Sequence, residues 1–337
     1  MKSLKSKNSR KVYFNGKFVN EEEAKISIYD SALMFGDMVF EMTRSFDGKQ
    51  FKLKEHIDRL YTGLKILRIP IKMSKKEMEQ AVNMTIEKNK KLFKKSDEHR
   101  IMIDVSRGLL SIYDDVDIKK GTNIIIADFP LSWTVQNCSH LYDKGLNLCI
   151  TSQRVIPAQL MDPKIKNRSR IFYLMANIEV SLMKGNDNWA LMLDPDGYIA
   201  EGTGSNFFMV KDNVIYSPEE RNMLRGISMQ TVIDDLAPSL GYKVVKKNIE
   251  PFDVHEADEA FMTSTPFCIL PAVTLNGLKI GNGKPGQVTK KLLNAWSDLV
   301  GVDIIKQIKS WDKKENNLKI SPYRFSNNPK TKEINKS

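Results

Sequence analysis

No apolar run in the 337 residues approaches the ~18 needed to span a bilayer. The lysine-rich start also lacks the apolar core and small-residue cleavage site of a secretory leader. A cytoplasmic protein is expected. Cysteine is scarce: Cys138, Cys149 and Cys268 are odd in number and widely spaced, which excludes a disulfide framework and fits reduced thiols. The four histidines, His56, His99, His140 and His255, lie outside helical reach of one another, so no metal site is expected. Internal repeats are missing as well.

What the chain has in excess is positive charge, formally +11, and its distribution decides its meaning. Met1 to Val12 holds five basic residues and no acid, and Lys309 to Ser337 holds eight basic residues against three acidic ones, so the two ends carry ten of the eleven charges. The body between them is close to neutral. Basic ends rich in Asn and Ser are usually solvated, and no nucleic-acid reader motif accompanies them. Neither nucleic acid nor membrane is expected as a partner.

A hydrophobic content of 41% over this length allows two domains with sizeable cores. "KVYFNGKFV" reads as a hairpin about Asn15-Gly16, and "MVFEMTRSFDGKQFKL" as another about Asp47-Gly48. Helices follow in "KEHIDRLYTGLKILRI", with Ile57, Leu60, Leu64 and Leu67 on one face, and in "KKEMEQAVNMTIEKNK"; "RIMIDVS" and "TNIIIADFPL" read as strands. Residues 1–130 are therefore expected as a small α+β domain with a basic N-terminal extension. "SWTVQNCSHLYDKG" reads as a connection into a second domain, 131–308, and 309–337 as a flexible basic tail. The second half alternates a strand "LNLCITSQRV", a meander with turns at Asp196-Gly197 and Asp212-Asn213, helices at "GISMQTVIDDLAPSLG" and "GQVTKKLLNAWSDLVG", and strands between them.

The segment "DPKIKNRSRIFYLMANIEV" sets Lys164 and Lys166 ahead of an apolar stripe, Ile171, Leu174, Met175, Ile178 and Leu182, at helical spacing. A lysine at such a boundary is ordinarily a snorkelling surface residue. It is also the side chain that forms Schiff bases with carbonyls. Downstream, Glu201 ends a strand before Gly202-Thr203-Gly204, glycines that permit close backbone approach to a ligand. A carboxylate set against an aldehyde-binding lysine is what pyridoxal phosphate requires, because it keeps the pyridine nitrogen protonated. Gly226-Ile227-Ser228 opens a helix where free N–H groups favour a phosphate. Arg59 supplies a guanidinium able to clamp the same group, and Ser264-Thr265 adds hydroxyls.

The motifs "FGDMVFEMTR", "EHIDRL", "IKNRS", "AEGTGSNFF", "LRGIS" and "FMTST" occur in the order and near the spacing of the class IV aminotransferases, the fold-type IV pyridoxal phosphate enzymes, and the chain resembles them over about residues 12 to 305. The resemblance implies an α+β, two-domain architecture: a small mixed α/β domain and a larger β-barrel-like domain with helices. It implies that Lys166 is the Schiff-base lysine, that Glu201 partners the pyridine nitrogen, and that Arg59, Ile227, Ser228 and Thr265 hold the phosphate of pyridoxal 5'-phosphate. It further implies a homodimer. Where branched-chain members carry a tyrosine five residues after the lysine this chain has Ile171, with Arg170 or Tyr173 as substitutes.

For the substrate, Phe40, Arg44 and Arg100 match the branched-chain pattern, in which two arginines admit the second carboxylate of glutamate. The D-amino acid pattern has an Arg-x-His trap at positions that here are Ile112 and Asp114. Met42 replaces a glycine of the branched-chain motif, and "GLLSIY" is not its usual glycine-rich loop. The function expected is transfer of an amino group between a branched-chain-like L-amino acid and a 2-oxo acid such as 2-oxoglutarate. A D-amino acid or (R)-selective amine transaminase, or an aminodeoxychorismate lyase, is the alternative.

Overall fold

The computed structural model describes residues 9–113, 115 and 121–312. Expectations placed on the first eight residues, on Asp114 and on the chain after Asp312 lie outside the described residues. The described residues divide into two compact units: those up to Gln136 with Lys164–Ser169 and Val300–Val302, and Asn137–Pro163 with Arg170–Leu299 and 303–312.

In the first unit, β1 (Lys11–Phe14) and β2 (Lys17–Asn20) form the hairpin about Asn15-Gly16. They continue into an antiparallel sheet with β3 (Met38–Met42), β4 (His99–Ser106) and β5 (Asn123–Pro130), in the order β2-β1-β5-β4-β3. The second expected hairpin is shorter than the sequence suggests. Asp47-Gly48 closes only a ribbon of Ser45–Phe46 on Lys49–Gln50, and β3 pairs with β4 instead, Phe40 opposite Asp104. The Phe51 N–H still donates to the Arg44 carbonyl at 2.9 Å, Lys52 turns into the left-handed region, and Leu53 begins helix α1 (Leu53–Ile66).

Helix α1 buries Ile57, Leu60 and Leu64 as its spacing requires, each contributing about 1.5–3 kcal/mol of transfer free energy. Helix α2 (Lys75–Asn89) starts on a capping box: the Glu77 N–H donates to Ser74 Oγ, and the Ser74 N–H donates to the Glu77 carboxylate. Gly63 lets α1 lie close on β3, since a Cβ there would stand 2.9 Å from Val39 Cγ1.

Lys164–Ser169 packs with this first unit, although it follows the connection into the second. Ile165 is buried in the first unit's core, Asn167 bridges to Val39, and the Phe40 N–H donates to the Lys166 carbonyl at 2.9 Å. The segment thus has strand-like alternation, with Ile165 and Asn167 turned in and Lys166 on the other side.

The second unit holds β6 (Leu146–Arg154), β7 (Asn188–Leu193), β8 (Ile199–Gly202), β9 (Asn206–Lys211), β10 (Val214–Pro218), β11 (Val244–Lys247), β12 (Glu259–Ser264) and β13 (Cys268–Leu275). The path β8-β7-β6-β13-β12-β9 closes on itself because β8 also pairs with β9, making a barrel, and β10 and β11 extend it from β9. The closing register is a single pair, Glu201 opposite Asn206.

Helix α3 (Ile171–Leu182) forms where the apolar spacing places it. Of its apolar stripe, Ile171, Met175 and Leu182 are exposed at 68%, 45% and 68% and Leu174 and Ile178 are half-buried, while Tyr173, Ala176 and Val180 pack with Cys149, Ala190 and Met192. A helix apolar around most of its circumference gives no periodic contrast to choose a face by. The small Ala176 and Val180 make the close contact with β6 and β7. Beyond α4 (Gln287–Val300) lies a helix not expected from the sequence, α5 (Ile304–Ser310). Asp303 caps it by accepting from the Lys306 N–H, and it buries Ile304, Ile308 and the following Trp311, so the chain stays folded past position 309.

Gly63→Val should lower the stability of the first unit by about 1–3 kcal/mol through overpacking. Urea unfolding checks this, and Val39→Ala added to the same chain should recover part of the loss.

Candidate active site

Within the first unit, Glu41 has no solvent exposure and receives three bonds from α1: Arg59 Nε at 2.6 Å and Nη2 at 2.9 Å, and His56 Nδ1 at 2.7 Å. His56 and Arg59 are three residues apart, which puts them on one face of the helix. Burial works against the Glu41 charge, but the Arg59 guanidinium and His56 outweigh it and hold the carboxyl below its usual range. Burial pushes the His56 imidazole down, and Arg59 and Lys166 add to this against the pull of Glu41.

Lys166 belongs to the same neighbourhood. Its Nζ lies 4.7 Å from the centre of the Phe40 ring, and the Arg168 guanidinium lies 3.7 Å from the same ring. Arg168 is held by Asp104 through Nε at 3.1 Å and Nη2 at 2.9 Å. Backbone bonding to β3 fixes Lys166 from below, and the aromatic face sets where its ammonium can rest.

The two arginines matched to substrate are both buried. Arg44 stacks 3.8 Å over Phe46 and donates from Nε to the Ser45 carbonyl. Arg100 donates from Nη2 to the Met42 sulfur at 3.6 Å, a weak acceptor, while its Nε and Nη1 are buried without a hydrogen-bond partner. Burial and then the charge of Arg44 push Arg100 down to about 10.

Within the second unit, Glu201 is 3% exposed and accepts from three elements: the Tyr173 hydroxyl of α3 at 2.5 Å, Asn206 Nδ2 of β9 at 3.3 Å, and the Leu224 N–H at 3.2 Å. Asn206 Nδ2 also donates to the Leu224 carbonyl at 2.9 Å. Gly226 follows, and a Cβ there would stand 2.1 Å from Asn206 Oδ1, so the close packing on Asn206 requires glycine. The helical stretch from Ile227 to Ser239 begins at that glycine with no side-chain cap, and Ser228 is buried in its first turn. Ser264 Oγ donates to the Gly204 carbonyl at 2.8 Å, which ties the turn holding Thr265 to the glycines after Glu201.

The first unit thus gathers Phe40, Arg59 and Lys166 about β3, with Arg44 and Arg100 beside them. The second gathers Glu201 with the Gly226 turn, and Thr265 with Gly204. Glu41, His56, Asn206 and the Leu224 N–H were missed from sequence. Each lies inside or beside a flagged motif, and His56 had a signal in its three-residue offset from Arg59. Of the two positions compared with the D-amino acid pattern, Ile112 is 75% exposed.

Residues 38–275 match the family model for class IV amino-transferases, and the chain belongs to that family. A protein of Methanocaldococcus jannaschii is 36% identical over 291 residues, 86% of this chain and 96% of that one. The branched-chain-amino-acid aminotransferase of Pseudomonas aeruginosa is 31% identical over 293 residues, 86% and 92% of the two chains. Among solved structures, the T.th. branched-chain amino acid aminotransferase with pyridoxamine 5'-phosphate is similar at 29% identity and a TM-score of 0.78, covering 87% of this chain and 95% of that one.

The chain is a pyridoxal-phosphate-dependent transaminase of fold type IV. Its residues fit that cofactor. Glu201 is a buried carboxylate with donors from the protein on its oxygens, a helix N-terminus stands without a side-chain cap at Gly226, and the Ser228 hydroxyl is in that first turn.

Removing the Glu41 charge should weaken the fold in a pH-dependent way. The folded carboxyl titrates below its ordinary 4.5, so the stability it contributes is present above pH 4.5 and is lost as pH falls toward the folded value. Glu41→Gln leaves the half-buried Arg59 and the buried His56 facing a neutral amide and should cost about 1–3 kcal/mol at pH 7. Urea melts should show the gap to the unsubstituted protein narrowing below pH 4.5; a gap independent of pH would exclude the carboxylate charge as its source. His56, depressed from 6.5, adds a loss in the same direction that begins below pH 6.5.

Proposed function

We propose that this transaminase moves an amino group between an aliphatic, branched-chain-like L-amino acid and a 2-oxo acid such as 2-oxoglutarate. The observation that carries the substrate reading is Arg100, a buried guanidinium with two nitrogens unpartnered and a second buried arginine, Arg44, in its field. A buried cation lacking acceptors costs several kcal/mol, and a dicarboxylate's second carboxylate supplies the missing oxygens. Phe40 offers an apolar surface for an aliphatic side chain. A structural neighbour, the T.th. branched-chain enzyme, is known with N-(5'-phosphopyridoxyl)-L-glutamate and with 4-methylvaleric acid, one acidic and one aliphatic group. The Met42 sulfur on Arg100 is the feature that favours a second reading, a smaller amine substrate, since it takes up room that a glycine would leave.

In this reading Lys166 holds the cofactor's aldehyde carbon, Glu201 its ring nitrogen, and Arg59, Ile227, Ser228 and Thr265 its phosphate. Pyridoxal phosphate, when bound, supplies a conjugated ring that takes up the electron pair left as a proton departs from the substrate Cα. Lys166 Nζ accepts that proton and returns it. Glu201 holds a proton on the ring nitrogen. Glu41 fixes the Arg59 fork, so this guanidinium reaches the phosphate already oriented.

A homodimer and a cytoplasmic location complete the proposal. The exposed apolar residues Ile28, Leu33, Met34 and Phe35 of the first unit, and Ile171, Met175 and Leu182 of the second, are the surfaces a second copy would cover. Among the described residues no helix is long and apolar enough to cross a membrane, and the cysteines are free thiols.

Lys166→Ala should abolish turnover and the cofactor's visible absorbance, while Lys164→Ala leaves both largely intact; a dead Lys164 variant would overturn the assignment. Arg100→Leu tests the substrate. An apolar residue of similar volume is tolerated at a buried charge, so steady-state kinetics should show KM for glutamate and 2-oxoglutarate rising roughly ten- to a hundredfold with leucine nearly spared. Equal losses for leucine and glutamate would shift the reading to the amine-transaminase alternative.

A further inference from the structure

The bond from the Tyr173 hydroxyl to Glu201 is shorter than those from Asn206 and Leu224, and nothing in the reaction outlined above assigns it a part. The side chain is 8% exposed, its ring packs 4.3 Å from that of Phe172, and the Arg170 guanidinium stands 5.0 Å from its centre. From sequence, Tyr173 and Arg170 are stand-ins for a tyrosine at the cofactor's phenolic oxygen. The hydroxyl is instead committed to the carboxylate at the barrel's closing pair.

The geometry points to Tyr173 as a positioning residue that acts through Glu201, fixing its plane and weakening it as a base so that a proton shared with the cofactor's ring nitrogen stays on the nitrogen. This inference rests on the assignment of Glu201 to that nitrogen. A carboxylate has about four lone-pair directions, and donors from α3, β9 and the Leu224 backbone leave it little freedom to rotate. A charge-assisted bond from a phenol stabilises the anion and lowers its affinity for a further proton. Burial, followed by the charge of Glu201, raises the phenol well above its ordinary range, so Tyr173 remains a donor at any working pH. Arg170, packed against the ring, favours the opposite change but is outweighed. Without the phenol, Glu201 would compete better for the shared proton, and the ring would draw electrons less strongly.

The test uses the holoenzyme loaded with pyridoxal phosphate labelled with nitrogen-15 in the ring. In Tyr173→Phe the nitrogen resonance should move toward that of unprotonated pyridine, kcat should fall roughly tenfold and KM for the amino acid should change less than about threefold. If that variant folds poorly, 3-fluorotyrosine placed at position 173 keeps the shape with a more acidic phenol, and the resonance should then move the other way. Glu201→Gln serves as the reference. A resonance that moves in Glu201→Gln but in neither Tyr173 variant reduces Tyr173 to packing and overturns the inference. A resonance unmoved in Glu201→Gln as well removes Glu201 from the ring nitrogen, and the underlying assignment fails with it.

Discussion

A carboxylate with no solvent contact has to be neutralised where it stands, and Glu41 imposes that condition on the first unit. Its three bonds all come from α1, so the helix is fixed in rotation and in height against β3. Gly63, one turn after Arg59, allows the close approach those bond lengths demand. The neighbouring strand residue Phe40 then carries both the backbone bond to Lys166 and the ring beneath its ammonium. A lysine on a loop is thereby tied to a strand whose position is already set by a buried ion pair.

The second unit solves a related problem at the seam of its barrel. Closure rests on one pair, Glu201 with Asn206, and closing a sheet at a charged residue would strand that charge if the seam supplied no donors. Here the partner strand contributes Asn206, the chain before the next helix contributes a backbone N–H, and α3 contributes a phenol. Gly226 cannot be larger because Asn206 Oδ1 occupies the space its Cβ would take. The turn that begins the uncapped helix is therefore placed by the same network that holds the carboxylate.

Legibility in the sequence follows the range over which each feature is encoded. The Asn15-Gly16 hairpin, the Ser74 capping box and the alternation through "RIMIDVS" depend on neighbours within a few residues, and they form as their spacing requires. Lys166, Glu201 and the Gly226-Ile227-Ser228 turn stood out because each sits in a short motif whose residue types have a chemical reason to occur together. Which face of α3 is buried was not legible, because Ile171, Met175 and Leu182 and the residues Tyr173, Ala176 and Val180 are all apolar, and only the presence of β6 and β7 decides between them. The pairing of β3 with β4 spans some sixty positions of chain, Phe40 to Asp104, and a local turn signal at Asp47-Gly48 could not reveal it.

The same distinction separates what holds the site from what selects its substrate. Glu41 and Glu201 each meet hydrogen-bond donors inside the protein, so neither carboxylate is stranded when buried. Arg100 differs, because among the described residues a thioether is its one hydrogen-bond acceptor and two of its nitrogens meet none. Its charge persists because a guanidinium stays protonated even when pushed down to about 10. A buried guanidinium with nitrogens that meet no oxygen, beside carboxylates that are neutralised, supports the proposal that Arg100 receives an anionic group. On that proposal Met42 tunes the site rather than abolishing it, since its sulfur is too weak an acceptor to compete with a carboxylate for the same N–H.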